Sequence, residues 1–428
     1  MQTLPSTQEV TPKQRVLFAS LIGTTIEFFD FYIYATAAVL VFPILFFPAD
    51  DPAAATLQSL ATFAIAFFAR PLGSAVFGHY GDKLGRKVTL VAALLTMGLS
   101  TVAIGLLPSY AMIGVWAPLL LALCRFGQGL GLGGEWGGAV LLATENAPPG
   151  KRAWYGMFPQ LGAPIGFILS TSLFLLLTSV LTQEDFMSWG WRIPFIGSSL
   201  LVLVGLYVRL RITETPAFLE AQAKKEAVGV PLVTVFREHK AAMLAGTLIA
   251  ISAFVIFYLM TVFTLSWGTT QLGYTREDFL ELQLVGVIFF GLAIPVSAYC
   301  ADRFGWPVTM RWVALLIMLF GASFAALFGS GHTLGVLATL AIGFTCMGLT
   351  YGPLGTLLSD LFPTQVRYTG SSLAFNLAGI LGASIAPFTA TWLATHWGLI
   401  AVGGYLALAG ALGLWGLNSR VVRYSRGD

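Results

Sequence analysis

Gly78-His79-Tyr80-Gly81-Asp82-Lys83-Leu84-Gly85-Arg86-Lys87 is the first dense polar stretch after two long apolar runs. Its three glycines permit a tight turn and a close approach of helices. One acid, Asp82, sits among Lys83, Arg86 and Lys87. A basic turn between apolar helices belongs on the cytoplasmic face of a membrane. The stretch has an echo in the second half of the chain, Ala301-Asp302-Arg303-Phe304-Gly305, again between apolar runs. The echo predicts a protein built twice.

Composition agrees with a membrane setting. The 428 residues are 57% hydrophobic and only 10% charged, too few charges to solvate a soluble protein of this length. Apolar runs longer than about 18 residues recur throughout, which predicts an all-α polytopic membrane protein. The net charge of +3 says little about partners. No basic face is interleaved with aromatics, so nucleic acid is not an expected partner. Cys124, Cys300 and Cys346 stand apart in or beside apolar runs and read as packing residues. No metal cluster, cofactor motif or nucleophile–base pair is visible, so no cofactor is expected and the chain does not read as an enzyme. The first apolar run is too long for a signal sequence and reads as a retained helix.

Twelve spans are predicted, at roughly 16–47, 54–80, 88–108, 111–145, 153–181, 190–210, 241–271, 278–301, 308–329, 333–361, 367–396 and 399–418. With both termini inside, most of the 23 Lys and Arg fall on the cytoplasmic side. They include Lys83, Arg86, Lys87, Lys151, Arg152, Arg209, Arg211, Lys224, Lys225, Arg303, Arg367, Arg420, Arg423 and Arg426. The outer loops are acidic instead, with Asp50, Asp51, Glu184, Asp185, Glu277 and Asp278. This asymmetry supports an even number of spans and cytoplasmic ends. The expected organisation is a short N-terminal segment (1–15), a six-helix bundle (16–210), a cytoplasmic linker with amphipathic helical pieces (211–240), a second six-helix bundle (241–418) and a tail (419–428). The duplication has a second witness. Glu145 precedes Arg152 by seven residues, and Asp360 precedes Arg367 by the same distance.

These stretches resemble a known family. Gly78-x-x-x-Asp82-x-x-Gly85-Arg86-Lys87 looks like the loop between spans two and three of the major facilitator superfamily, whose fold has two pseudo-symmetric six-helix halves. Residues 22–37 (IGTTIEFFDFYIYATA), 68–87 (FARPLGSAVFGHYGDKLGRK), 125–138 (RFGQGLGLGGEWGG) and 188–195 (SWGWRIPF) together resemble the metabolite:proton symporters, which carry shikimate, α-ketoglutarate, citrate or proline/betaine. The second-half echo departs from the pattern, since Phe304-Gly305-Trp306-Pro307 lacks the usual bases. The resemblance implies proton-coupled uptake of a small metabolite across a bacterial inner membrane by alternating access.

Charge inside a membrane is costly, so each such residue is a functional candidate. Five lie within predicted spans: Glu27, Asp30, Arg70, Arg125 and Glu135, all in the first half. Glu27, Asp30 and Tyr34 share one helix face by spacing. Both acids lie about 17–21 Å from the cytoplasmic end, and Arg70 lies at about 18 Å. A buried cluster of acids and guanidinium groups is expected. Two carboxylates close together in low dielectric resist double ionisation, which gives a proton site. A guanidinium recognises a carboxylate in a bidentate pair. Asp30 or Glu27 is thus the expected proton carrier, while Arg125 or Arg70 holds a substrate carboxylate or pairs with the acid; a fixed ion pair for helix packing is the alternative. Glu135 reads as a proton relay or as a satisfied acid near a helix end.

Uncharged candidates for the substrate are Tyr34, Gln128, Gln160, Tyr258, Trp267, Tyr351 and Asn376. The glycines of 127–138 read as close helix packing at a face that must slide, and Gly162-Ala163-Pro164-Ile165-Gly166 as a kink or hinge. The resemblance implies a cytoplasmic latch of Asp82, Arg86, Glu145 and Arg152, with Asp302, Asp360 and Arg367 as its pseudo-symmetric counterpart. The partners expected are a carboxylate-bearing metabolite, protons and membrane lipid, around a monomer. A proton-coupled efflux antiporter and a non-transporting nutrient sensor are the alternatives.

Overall fold

The computed structural model describes residues 13–47, 52–211, 214–215, 218–220 and 231–424. Asp50, Asp51, Lys224, Lys225 and Arg426, with most of the expected terminal segments and linker, lie outside the described residues.

Twelve long helices form the fold. They are α1 (Lys13–Leu40), α2 (Pro52–Leu84), α3 (Arg86–Leu106), α4 (Trp116–Glu145), α5 (Arg152–Val180) and α6 (Arg192–Leu210) in the first half. In the second half they are α7 (Lys240–Thr270), α8 (Arg276–Phe304), α9 (Trp306–Phe328), α10 (Thr333–Asp360), α11 (Thr364–Trp397) and α12 (Leu399–Leu417). All except α4 are long and apolar enough to cross a membrane by length and composition. α4 has 30 residues, but its glycines, Arg125 and Glu135 dilute its hydropathy. Large apolar side chains such as Leu99, Leu200, Leu292, Leu319, Phe388 and Trp415 point outward, as a lipid-facing surface requires.

Several boundaries move from the expected ones. The first run breaks after Leu40, and a short helix Phe42–Leu45 follows with Pro43 in its first turn, because proline cannot continue the preceding helix. α4 begins only at Trp116, since Gly114 adopts φ of 58° and ends the short helix Tyr110–Ile113. Residues 78–84 are not loop but the last two turns of α2. The corner itself is Gly85, at φ of 111°, and its counterpart between α8 and α9 is Gly305, at 86°. A side chain at either position would be strained, so both glycines of the repeated motif are explained. Gly78 and Gly81 serve the packing instead: a Cβ on Gly81 would meet the Tyr368 ring of α11 at 2.7 Å.

α1 packs closely on α5, α2 on α4 and α8 on α10, while α2 against α11 and α5 against α8 join the halves. The α4 glycines belong mostly inside the first half. A Cβ on Gly129 would lie 2.7 Å from the Ala66 backbone of α2, and one on Gly131 2.7 Å from the Ala93 carbonyl of α3. The expected sliding face is therefore corrected: most of these glycines let α4 sit against its own bundle, and only Gly137 and Gly138 meet α11. α5 runs unbroken through Pro159 and Pro164, so the expected kink is no interruption. Gly162 and Gly166 there bring α5 onto the α1 backbone. Single π-helical turns interrupt α7 at Leu259–Phe263 and α11 at Ile380–Ser384.

Candidate functional site

The end of the bundle carrying the Gly85 and Gly305 corners is called the basic end below, and the other the far end. Between the halves, midway along the helices, lies a cavity lined by Glu27, Arg70 and a set of aromatic rings. Glu27 on α1 is buried, and its Oε2 has no hydrogen-bond partner among the described residues. The charges of Arg70 and Arg209 act on it. Arg70 on α2 donates from Nε to Asn376 Oδ1 of α11 at 2.8 Å, its one side-chain hydrogen bond among the described residues. The rings of Phe67, Phe254 and Phe375 stand 5.6–6.0 Å from its guanidinium carbon. Asn376 is itself fixed by donating to Ser74 Oγ and to the Ser372 carbonyl. Tyr258 and Tyr351 also line the cavity.

Asp30 does not face this space. Three residues along a helix turn it by about 300°, so Asp30 points about 60° away from Glu27, enough to send two buried side chains to different neighbours. The one-face expectation is corrected accordingly. Asp30 accepts from Ser198 Oγ of α6 at 2.6 Å and from Thr101 Oγ1 of α3 at 2.9 Å. Gln128 Nε2 donates to Thr101 at 2.8 Å, and Arg125 Nη1 donates to Gln128 Oε1 at 3.0 Å. Asp30 and Arg125 are thus joined through two neutral side chains rather than as a direct ion pair. The Arg125 guanidinium lies in a cage of Tyr34, Phe63 and Phe31 rings, 4.0, 4.8 and 5.1 Å away. Tyr34 spends its hydroxyl on Thr62 at 2.7 Å. The single expected cluster resolves into two sites, Glu27 with Arg70 and Asp30 with Arg125.

Glu135 on α4 meets Arg209 on α6 in a fully buried pair, and Arg209 Nη1 also donates to the Leu90 carbonyl at 2.8 Å. Arg209, counted from sequence among the cytoplasmic charges, is 3% exposed. The snorkelling expected of a terminal arginine fails because the small Gly23 of α1 leaves room for it inside.

The basic end is closed by polar contacts between the halves. Asp82 accepts from the Tyr368 and Thr369 backbone N–H groups at 3.3 and 3.0 Å and from Thr369 Oγ1 at 2.8 Å, at the start of the long helical run of α11. Asp302 does the same at the start of α5, accepting from the Ala153 and Trp154 N–H groups at 2.8 Å each. An acid at a helix N-terminus satisfies otherwise unpaired donors. Arg86 bridges Asp82 and Glu145 at 3.1 and 3.4 Å and donates to the Thr364 carbonyl. Arg367 reaches Glu145 at 3.5 Å, and Arg152 pairs with Asp360 at 2.8 Å. All seven latch candidates stand at this end. Gln160 is also a cross-half tie: it accepts from Trp136 Nε1 and donates to the Tyr351 carbonyl, both at 2.9 Å. Trp136 of α4 stacks on Phe375 of α11 with centroids 3.6 Å apart, and Phe375 itself lines the cavity. Trp267 lies further toward the far end, stacked on Phe263.

On the far side of Glu27 the halves meet through ring pairs such as Tyr32 with Phe257 at 6.1 Å and Phe67 with Tyr258 at 5.8 Å. Among the described residues every hydrogen bond or ion pair between the halves lies from the cavity to the basic end. The structure is therefore tied by hydrogen bonds and ion pairs at the basic end and covered by apolar contacts toward the far end.

Sequence reasoning missed Thr101, Ser198, Trp136, Phe375 and the linker residues Glu214, Thr215 and Phe218. Thr215 Oγ1 donates to Glu145 at 2.5 Å, and Glu214 accepts from the Lys87 N–H at 3.2 Å. Threonine and serine inside apolar helices usually bond their own backbone, so nothing in the sequence separates Thr101 from its neighbours. Arg209 had a signal, a cation within an apolar run.

A family model described as sugar (and other) transporter matches residues 16–229. The chain is 58% identical over 420 residues to the inner membrane metabolite transport protein YhjE of Escherichia coli K12, covering 96% of each chain. It is 36% identical over 420 residues to the shikimate transporter of the same organism, covering 95% of this chain and 94% of that one. Among solved structures, the proton:xylose symporter XylE bound to 6-bromo-6-deoxy-D-glucose superposes with a TM-score of 0.77 at 17% identity, over 95% of this chain and 94% of that one. At that identity the likeness speaks for the fold alone.

Proposed function

The chain belongs to the major facilitator superfamily, among its metabolite transporters, and on that premise we propose that it takes up a small carboxylate-bearing metabolite together with protons. The observation that supports this most is the division of the buried charges. Arg70 presents a guanidinium to the cavity, and Asp30 sits behind it in a separate hydrogen-bonded chain to Arg125.

Asp30 is the proposed proton carrier. As a carboxylate it is held by two hydroxyls, and its charge is offset through Thr101 and Gln128 by Arg125. Protonated, it releases that balance and leaves Arg125 to its ring cage, which loosens α1 against α3 and α4. Arg70 takes the substrate carboxylate as a planar fork. The basic end is proposed to face the cytoplasm of a bacterial inner membrane, as its bases favour. The structure then corresponds to the state closed toward the cytoplasm. Passage to the opposite state breaks the helix caps of Asp82 and Asp302 and the pairs of Glu145 and Asp360. Protons moving down their gradient with an anion avoid carrying net negative charge against an inside-negative potential.

The test is uptake into proteoliposomes driven by a pH gradient and screened over organic acids and amino acids, with an internal pH dye. Wild type accumulates a substrate and acidifies the lumen. Asp30→Asn is expected to lose accumulation while retaining exchange of substrate across the membrane. Concentrative uptake by Asp30→Asn with unchanged pH dependence refutes the assignment.

A further inference from the structure

The two latches at the basic end are built on one plan but are not filled alike. Aligning the repeated corners, Asp82-x-x-Gly85-Arg86 and Asp302-x-x-Gly305-Trp306, puts Arg86 and Trp306 at the same position, and Glu145 corresponds to Asp360. In the first copy the Arg86 guanidinium is fully buried between two acids, 3.1 Å from Asp82 and 3.4 Å from Glu145, and the Phe218 ring of the linker stands 5.1 Å from it. Asp82 accepts this bond in addition to three from the start of α11, so capping a helix does not exhaust a carboxylate. In the second copy Asp302 caps α5 through two N–H groups, and Asp360 pairs with Arg152 as Glu145 pairs with Arg367. The cation that corresponds to Arg86 is missing, because an indole carries no charge. Instead, a cavity of about 280 Å³ is lined by Asp302, Asp360, Arg152, Trp306 and Thr356. Two acids thus face it with one arginine, where the first copy has two arginines for two acids. Lys151 acts on Asp302 and Arg367 on Asp360 from nearby, but neither lines the cavity.

We infer that this second cavity is a binding site for a small guanidinium-bearing organic cation, which takes in the second latch the place that Arg86 takes in the first. Its planar donors match the carboxylates of Asp302 and Asp360, and Trp306 offers an indole face to the charge. Gly150, Arg152 and Ala153 belong to the first half and the remaining walls to the second, so the site is complete only while the basic end is closed. A ligand that binds one state alone shifts the molecule toward that state. The site lies apart from the central cavity and acts as a brake on the opening of the basic end, whatever the central cavity carries.

The experiment compares two compounds of one shape, butylguanidinium and the neutral butylurea. Thermal unfolding of the purified full chain is followed against each. Butylguanidinium is expected to raise the melting point as much as butylurea does at a concentration at least tenfold lower. Trp306→Arg, which supplies the missing guanidinium from the chain itself, is expected to remove that advantage, and Asp302→Asn to reduce it. Glu27→Gln, in the central cavity, is expected to leave it intact. The brake is read in Asp82→Ala, whose basic end is expected to widen. There butylguanidinium is expected to return spin-label distances between the end of α2 and the start of α11 toward the wild-type values, and butylurea is not. Equal stabilisation by the two compounds, an advantage that survives both Trp306→Arg and Asp302→Asn, or an advantage lost in Glu27→Gln overturns the site. Distances that butylguanidinium leaves unchanged overturn the brake. None of these readings requires transport, so the site and the transport proposal fail separately.

Discussion

Replacing Glu135 by leucine is expected to destabilise the first half sharply, while replacing Glu135 and Arg209 together is not. Arg209 is 3% exposed and Glu135 fully buried, and two of the arginine's three side-chain hydrogen bonds go to that carboxylate. In Glu135→Leu the guanidinium keeps only the Leu90 carbonyl, and its charge is left inside. Removing one partner of a buried pair costs about 3–5 kcal/mol. For a bundle of about 200 residues that corresponds to a melting point lower by roughly 10 °C. The paired replacement Glu135→Leu with Arg209→Met removes the uncompensated charge and fills similar volume, so it is expected within about 1 kcal/mol of wild type or above it. Thermal unfolding of the detergent-purified protein reads all four members of this cycle. A single variant melting within a degree or two of wild type refutes the reasoning. So does a double variant that falls by the sum of the two singles, since coupled neighbours should not add. Loss of proton-driven uptake with unchanged melting would return Glu135 to the role of proton relay.

Two further outcomes follow from the geometry. Asp82→Ala is expected to widen the basic end far more than Arg152→Ala, because Asp82 is buried and accepts four hydrogen bonds, whereas the Arg152–Asp360 pair is 37% and 27% exposed. An exposed pair contributes at most about 1 kcal/mol. Spin-label distances between the start of α5 and the end of α10 measure this, and an equal response of both variants contradicts it. Gly129→Ala is expected to destabilise by about 1–3 kcal/mol, because its Cβ would meet backbone of α2 at 2.7 Å, whereas Gly404→Ala, with nothing within 4 Å, is neutral. Equal melting of the two variants would refute the close-packing account.

The sequence carried the fold because membrane helices announce themselves by length and apolarity, and because two glycine corners repeat. It carried the depth of the five buried charges for the same reason, since rise per residue converts number into distance. It did not carry their direction. Glu27 and Asp30 looked like one site because three residues apart reads as one face, yet the turn of about 60° between them sends one to the cavity and the other to α3 and α6. The resemblance implied the latch residues, and the structure brings all seven to one end. Glu214 and Thr215 were invisible there, because a linker residue reveals its partner only when the chain has turned back on itself. Trp136 and Phe375 read as two apolar residues among many; only the structure shows their stacking across the halves.

The two halves contribute differently to one cavity. The first half holds both acids of α1 and both buried arginines near the cavity, whereas the second contributes Phe254, Phe257, Tyr258, Tyr351, Phe375 and Asn376. A wall of rings has no charge to change when a proton arrives, so it responds only to the shape of what lies against it. Phe257 and Tyr258 stand next to the π-helical turn of α7, and Phe375 lies about one turn before that of α11. Single π-helical turns inside α-helices are frequent at functional sites. In the proposed mechanism protonation acts in the first half, and the ligand meets the ring wall of the second. The Arg70–Asn376 bond and the Trp136–Phe375 stack join the two halves beside that cavity, so in the proposed mechanism they are the contacts through which the halves are coupled.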